Sequence, residues 1–168
     1  MLTLHNKIAH SGAVDGQLLL PYELREKSRL RARLTNGEEV AVFTVRGTVM
    51  RDGDRMLAND GRVIEVLAAA EPTYRVKCAS AFDLLRCAFH LGNRHTQAQL
   101  ADGFLRIRQD AVLRDMLQGL GAEVIEELAS FEPEAGAYGG GHSHGDERHH
   151  ALAPIPVRQR IHRPSDRE

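Results

Sequence analysis

Residues 73–92 read TYRVKCASAFDLLRCAFHLG, and the hydrophobic period changes within this one stretch. Over TYRVKCA apolar and polar residues alternate, which is the two-residue period of a half-buried strand. From Ser80 the spacing lengthens to that of a helix. SAFDLLRCAFHLG opens with the Ser80-x-x-Asp83 arrangement of a capping box, carries Phe82, Leu85 and Phe89 on one side, and meets a glycine stop at Gly92.

The same grammar continues downstream. TQAQLA and GFLRIRQ read as two short strands joined at Asp102-Gly103, a hairpin signal. DAVLRDMLQGLG is a second helix, with Asp110 as N-cap, Val112, Leu113, Met116, Leu117 and Leu120 on one face, and Gly121 as its stop. EVIEELASF alternates as a last strand. The order β-α-β-β-α-β within about 60 residues is the ferredoxin-like split βαβ plan.

Upstream, residues 1–71 read as an all-β domain. LRARLTNGEEVAVFTV alternates on both sides of Asn36-Gly37, a dipeptide that suits the two positive φ angles of a type I′ hairpin. MLANDGRVIEVLAA repeats the device around Asn59-Asp60-Gly61. Turn residues recur roughly every 8 to 12 positions, as in a small sandwich or barrel. The run YELREKSRLRAR fits either a strand or a turn of helix, and its Arg and Lys residues read as a solvated face. Glu71-Pro72 is the expected boundary, because proline should end the preceding strand where the period changes. The fold class is thus α+β: an all-β domain over 1–71, a ferredoxin-like domain over 72–135, and a flexible His-rich tail over 136–168, whose Gly, Pro, His and Arg leave little to bury.

Bulk properties remove several function classes. The chain of 168 residues has a formal net charge of −1, so no overall field draws it to nucleic acid or to an anionic membrane. Its apolar runs are too short to span a bilayer, and MLTLHNKIAHSG lacks the pattern of a signal peptide; a cytoplasmic location is expected. Cys78 and Cys87 match no metal-knuckle spacing and read as structural thiols. No H-E-x-x-H, G-x-S-x-G, Walker A or dinucleotide-binding motif is present, so an enzyme is not expected. An RNA-recognition module would need an aromatic platform on its third strand, and GFLRIRQ offers only Phe104.

The unusual residue is histidine, of which there are nine. His142, His144, His149 and His150 crowd into GGGHSHGDERHH. Flexible imidazoles among Gly, Ser, Asp and Glu make a chelator that needs no fold and weakens as they protonate below about pH 6.5. An engineered tag is the competing explanation, although tags are usually uninterrupted and terminal. Imidazole accepts nickel, copper and zinc alike, so the composition does not choose the metal. His90 and His95 stand five apart in AFHLGNRH. On one continuous helix they would diverge by about 140° and share no ion. With a stop at Gly92, His95 falls on the following loop. There it serves either as an ordinary hydrogen-bonding residue or, across the two-fold axis of a homodimer, as half of a bis-imidazole site. His90 reads as structural.

HLGNRH after an apolar helix, FEPEAGAY after the last strand, RGTVMRDGD in the β region and the His-rich C-terminus together resemble the urease accessory protein UreE family, over almost the whole chain to about Tyr138. The resemblance implies a nickel metallochaperone: a peptide-binding-like β domain, a ferredoxin-like metal-binding domain and a homodimer formed through the latter. It implies that His95 of both chains binds Ni(II), with His142, His144, His149 and His150 completing the site or storing further ions and Zn(II) or Cu(II) as competitors. It also implies handover to the urease-maturation GTPase and to apo-urease with its other accessory proteins. Some members carry extra histidines at the start of the second helix, where this chain has Arg108 and Ala111, so that peripheral site is expected to be absent. A storage or sequestration protein, in which the tail alone binds metal, is the alternative.

Overall fold

A computed structural model describes residues 1–9 and 13–135. It contains two sheets. The first holds β1 (Leu2–Ile8), β2 (Gly16–Leu20), β3 (Arg29–Arg33), β4 (Glu39–Phe43), β5 (Arg55–Ala58) and β6 (Val63–Ala68), with a four-residue helix α1 (Tyr22–Arg25) between β2 and β3. The strand order is β2-β6-β5-β1-β4-β3. Two of the pairings, β1 with β4 and β2 with β6, are parallel. The sheet curls far enough for the Thr35 N–H to donate to the Gln17 carbonyl, which joins the two edge strands at one end in a barrel-like shape. Alternate residues of every strand turn inward, among them Leu4, Leu18, Val42, Met56, Ile64 and Val66, all fully buried.

Both hairpins expected in this region form, with a different turn. Gly37 and Gly61 have positive φ, at 88° and 90°, whereas Asn36, Asn59 and Asp60 do not. The Gly37 and Gly61 N–H groups instead close turns onto the carbonyls of Leu34 and Ala58. Each connection is therefore a three-residue loop ending on a left-handed glycine, not the two-residue type I′ turn. The glycine supplies the one conformation that a side chain would resist.

The second sheet has the order β10-β7-β9-β8, with every pairing antiparallel. Its elements are β7 (Ala70–Lys77), α2 (Ala81–Gly92), β8 (Gln99–Ala101), β9 (Phe104–Arg108), α3 (Ala111–Gly119) and β10 (Glu123–Ser130). Tyr74, Val76, Cys87, Leu91, Leu105, Ile107 and Leu117 form its core. Pro72 does not end a strand; it lies inside β7 opposite Leu128. This is tolerated because its carbonyl faces β9, accepting from Gln109 N–H, and β9 pairing starts only at Thr73. The missing N–H thus falls beyond the end of the ladder. The switch between sheets occurs at Ala69, which separates β6 from β7.

Helix starts follow the sequence closely. Ser80 Oγ accepts the Asp83 N–H at 3.1 Å, and the Asp110 carboxylate accepts that of Leu113 at 2.9 Å. The packed side of α2 does not. Cys87 and Leu91 are buried against the sheet, with Leu84 and Ala88 beside them, while Phe82, Leu85 and Phe89 are 69%, 68% and 65% exposed. Helix α2 is apolar on two sides, and only one of them meets the core.

Candidate metal centre

Both helices of the second domain end in the same pair of hydrogen bonds. At the end of α3, Gly121 N–H donates to Gln118 O at 2.9 Å and Ala122 N–H to Leu117 O at 3.0 Å. Gly121 has φ 89°, the left-handed residue of a Schellman motif. At the end of α2, His95 N–H donates to Gly92 O at 2.9 Å and Thr96 N–H to Leu91 O at 3.1 Å. The left-handed residue here is His95, with φ 53°, and no other non-glycine among the described residues has a positive φ. Gly92 is the last residue of α2, as its position in the sequence suggests, but the glycine is not the turning residue. That place is taken by an imidazole, at a cost of about 1 kcal/mol relative to glycine.

The exposed His95 side chain sits between two hollows. One is a polar cleft of about 600 Å³ that also involves Glu26, Arg94, Gln97, Arg108 and Asp110. Gln97 spans it, donating to Glu26 at 3.2 Å and accepting from Arg108 at 3.1 Å. The other is a groove of about 500 Å³ shared by Tyr22, Arg51, Leu91, Leu100 and Ala135. His90 keeps a local role. Its ring meets the Phe89 ring edge-on at 5.5 Å, and its carbonyl accepts from Arg94 at 3.1 Å. Among the described residues no three His, Cys, Asp or Glu side chains converge on one point, so no three-ligand site of these types forms around His95 within them. His142, His144, His149 and His150 lie outside the described residues. Arg108 lines the polar cleft, and Ala111 is the first residue of α3.

One part of the surroundings differs from what the sequence pattern predicts. Arg25, in the run expected to be a solvated face, is completely buried. Its guanidinium donates to the carbonyls of Leu20 and Met50, each at 3.2 Å, to that of Phe131 at 2.5 Å, and to the Glu132 carboxylate. Glu132 also accepts from Arg51 at 3.1 Å and from Asp52 N–H at 3.2 Å. Four acceptors explain how a charge survives there. Tyr22, packed edge-on against Phe131, has its phenol pKa raised by burial. The segment that follows runs along β8, with Glu134 N–H on Ala98 O, and delivers Ala135 to the groove beside His95. Spacing held no signal for this link, since Arg25 and Glu132 are 107 positions apart.

Elsewhere in the domain Cys78 and Cys87 are reduced, with sulfurs 3.7 Å apart. Burial, and then the neighbouring Cys78, pushes the Cys87 thiol up to about 11. Phe104 lies under the guanidinium groups of Arg75 and Arg106, at 4.9 and 5.3 Å. Both arginines are tied to Glu127.

Comparison with known proteins places these residues in context. The N-terminal domain model of the UreE urease accessory protein matches residues 2–69, and the C-terminal domain model matches residues 71–156. The chain is 67% identical over 168 residues to the urease accessory protein UreE of Janthinobacterium sp. (strain Marseille), covering 99% of each chain. It is 61% identical over 172 residues to the protein of that name from Nitrosospira multiformis, covering 99% of this chain and 98% of the other. With that of Cupriavidus necator the identity is 53% over 131 residues, or 78% of this chain and 68% of the other.

Proposed function

From the premise that the chain belongs to the UreE family of urease accessory proteins, we propose that it is a nickel metallochaperone, binding Ni(II) reversibly and delivering it for assembly of the urease active site. The observation that carries this reading is His95 in a left-handed position that favours glycine. A left-handed residue other than glycine at an exposed helix end points to a use for its side chain.

One imidazole holds an ion weakly. A homodimer with its two-fold axis near His95 supplies two, leaving further coordination positions open. The exposed side of α2, formed by Phe82, Leu85 and Phe89, belongs to the helix that His95 follows by three positions, and it supports such a pairing. Each of these side chains gains roughly 1.5–3 kcal/mol when fully covered. His142 follows Ala135 by only seven positions, a chain length of at most about 25 Å. His142 and His144 then complete the interface site, while His149 and His150 hold further ions. Zn(II) and Cu(II) compete for the same imidazoles.

In this reading residues 1–71, 72–135 and 136–168 are the β domain, the metal-binding domain and the tail. The strand order β10-β7-β9-β8 supports a ferredoxin-like plan for the second. Transfer proceeds by ligand exchange as donors of the urease-maturation GTPase, bound to apo-urease with its other accessory proteins, approach in the cytoplasm. No covalent bond of a substrate changes, so the role is not enzymatic. The test is urease activation in cells at limiting nickel. His95→Ala is expected to lower activation while the purified dimer stays folded, and full activation by that variant refutes the proposal.

A further inference from the structure

Strand β3 is an edge of the six-stranded sheet, and its sequence is Arg29-Leu30-Arg31-Ala32-Arg33. Thr44 N–H donates to Ser28 O, and Leu34 N–H to Glu38 O, at the two ends of its ladder with β4. In an antiparallel pair such bonds recur at every second residue. Positions 28, 30, 32 and 34 therefore point their peptide groups at β4, and those of Arg29, Arg31 and Arg33 point outward. Beyond the single Thr35–Gln17 contact, β2 and β3 share no backbone bond, so these outward groups have no partner among the described residues. The side chains add a second signal. Leu30 and Ala32 pack against the core, and all three arginines are exposed on the opposite face. Arg33 pairs with Glu39 at 2.8 Å, whereas Arg29 and Arg31 make no ion pair among the described residues. Directly across from Arg29 lies Phe43, 42% exposed and stacked on His5 at 5.8 Å.

We propose that this edge is a docking site for an extended acidic segment of a partner protein, which adds to the sheet as a seventh strand. Open N–H and C=O groups provide main-chain affinity, and the arginine row sets the sign of charge. The side chains facing Arg29, Arg31 and Arg33 are acidic, as cross-strand neighbours on one face. Those between them lie beside Leu30 and Ala32 and are apolar. A nucleic acid would use the arginines but leave the peptide groups unsatisfied, which is why a polypeptide fits better. The inference does not rest on the nickel reading, and its test leaves His95 untouched.

The test is an amide-resolved NMR titration of the full chain with the capped peptide Gly-Glu-Val-Glu-Val-Glu-Gly. The expected result is saturable binding that shifts the amides of Arg29, Arg31 and Arg33 and slows their hydrogen exchange, those of Leu30 and Ala32 being protected beforehand. Methylating the three glutamate nitrogens, or replacing glutamate by lysine, should weaken binding at least tenfold. So should Arg31→Glu, with Arg31→Gln as a milder variant if the first fails to fold. Three results overturn the proposal: no binding, in which case the charges only guard the edge against aggregation; binding indifferent to nitrogen methylation; or equal shifts on adding an oligothymidylate.

Discussion

His95 occupies at the end of α2 the place that Gly121 occupies at the end of α3, closed by the same two backbone bonds but with φ 53° in place of 89°. Exchanging the histidine for glycine therefore separates fold from function. His95→Gly should leave the protein folded and raise its stability by up to about 1 kcal/mol, while the nickel binding proposed for His95 should be lost. Thermal unfolding and nickel titration on one sample check both halves. A fall in stability would mean that the side chain holds the turn.

The exposed side of α2 predicts the effect of a charge placed there. Leu85→Glu, at a position 68% exposed in the single chain, should cost that chain little and halve the mass seen by light scattering. A variant that keeps the mass of a dimer puts the interface elsewhere.

The Arg25–Glu132 link predicts a large penalty for a small change. Glu132→Gln leaves a completely buried guanidinium without its countercharge, and removing one partner of a buried pair costs about 3–5 kcal/mol. Arg51, which also reaches Glu132 at 3.1 Å, then loses its countercharge too and keeps only the Pro133 carbonyl, at 2.8 Å. Urea unfolding measures the difference, and a loss under about 1 kcal/mol would show that the link is dispensable.

Cys87 predicts a limit at high pH. Its thiol has an ordinary value of 9.0 and is pushed to about 11 in the folded protein, chiefly by burial. The folded state therefore holds the proton more tightly than the unfolded one. Its contribution to stability is complete below about pH 9 and lost as pH rises toward 11. Cys87→Ala should flatten that part of the stability curve, and an aromatic disulfide reagent at neutral pH should modify half-buried Cys78 well before Cys87.

What the sequence made legible was the grammar of local elements. Ser80 and Asp110 as caps, Gly121 as a stop and the strand-helix alternation from Thr73 to Ser130 all act within a few residues, where spacing is decisive. The side on which α2 packs was not legible, because Cys87 and Leu91 form a second apolar face and choosing between faces takes the whole sheet. Nor was the turning residue. Gly92 is the better left-handed former, yet the Leu91 and Gly92 carbonyls are closed by Thr96 and His95. HLGNRH pointed to His95 through resemblance; its backbone strain is visible only in three dimensions. Arg25 looked like one more surface charge, because the carboxylate that accepts it comes from Glu132, 107 positions later.

The central claim, that His95 forms a nickel site shared by two chains, is met most directly by a nickel titration followed by calorimetry and light scattering on a chain ending at Gly141. The account predicts about one ion per two chains, abolished by His95→Ala with the dimer intact. No binding by the shortened chain would contradict it and leave metal sequestration by the tail as the better reading.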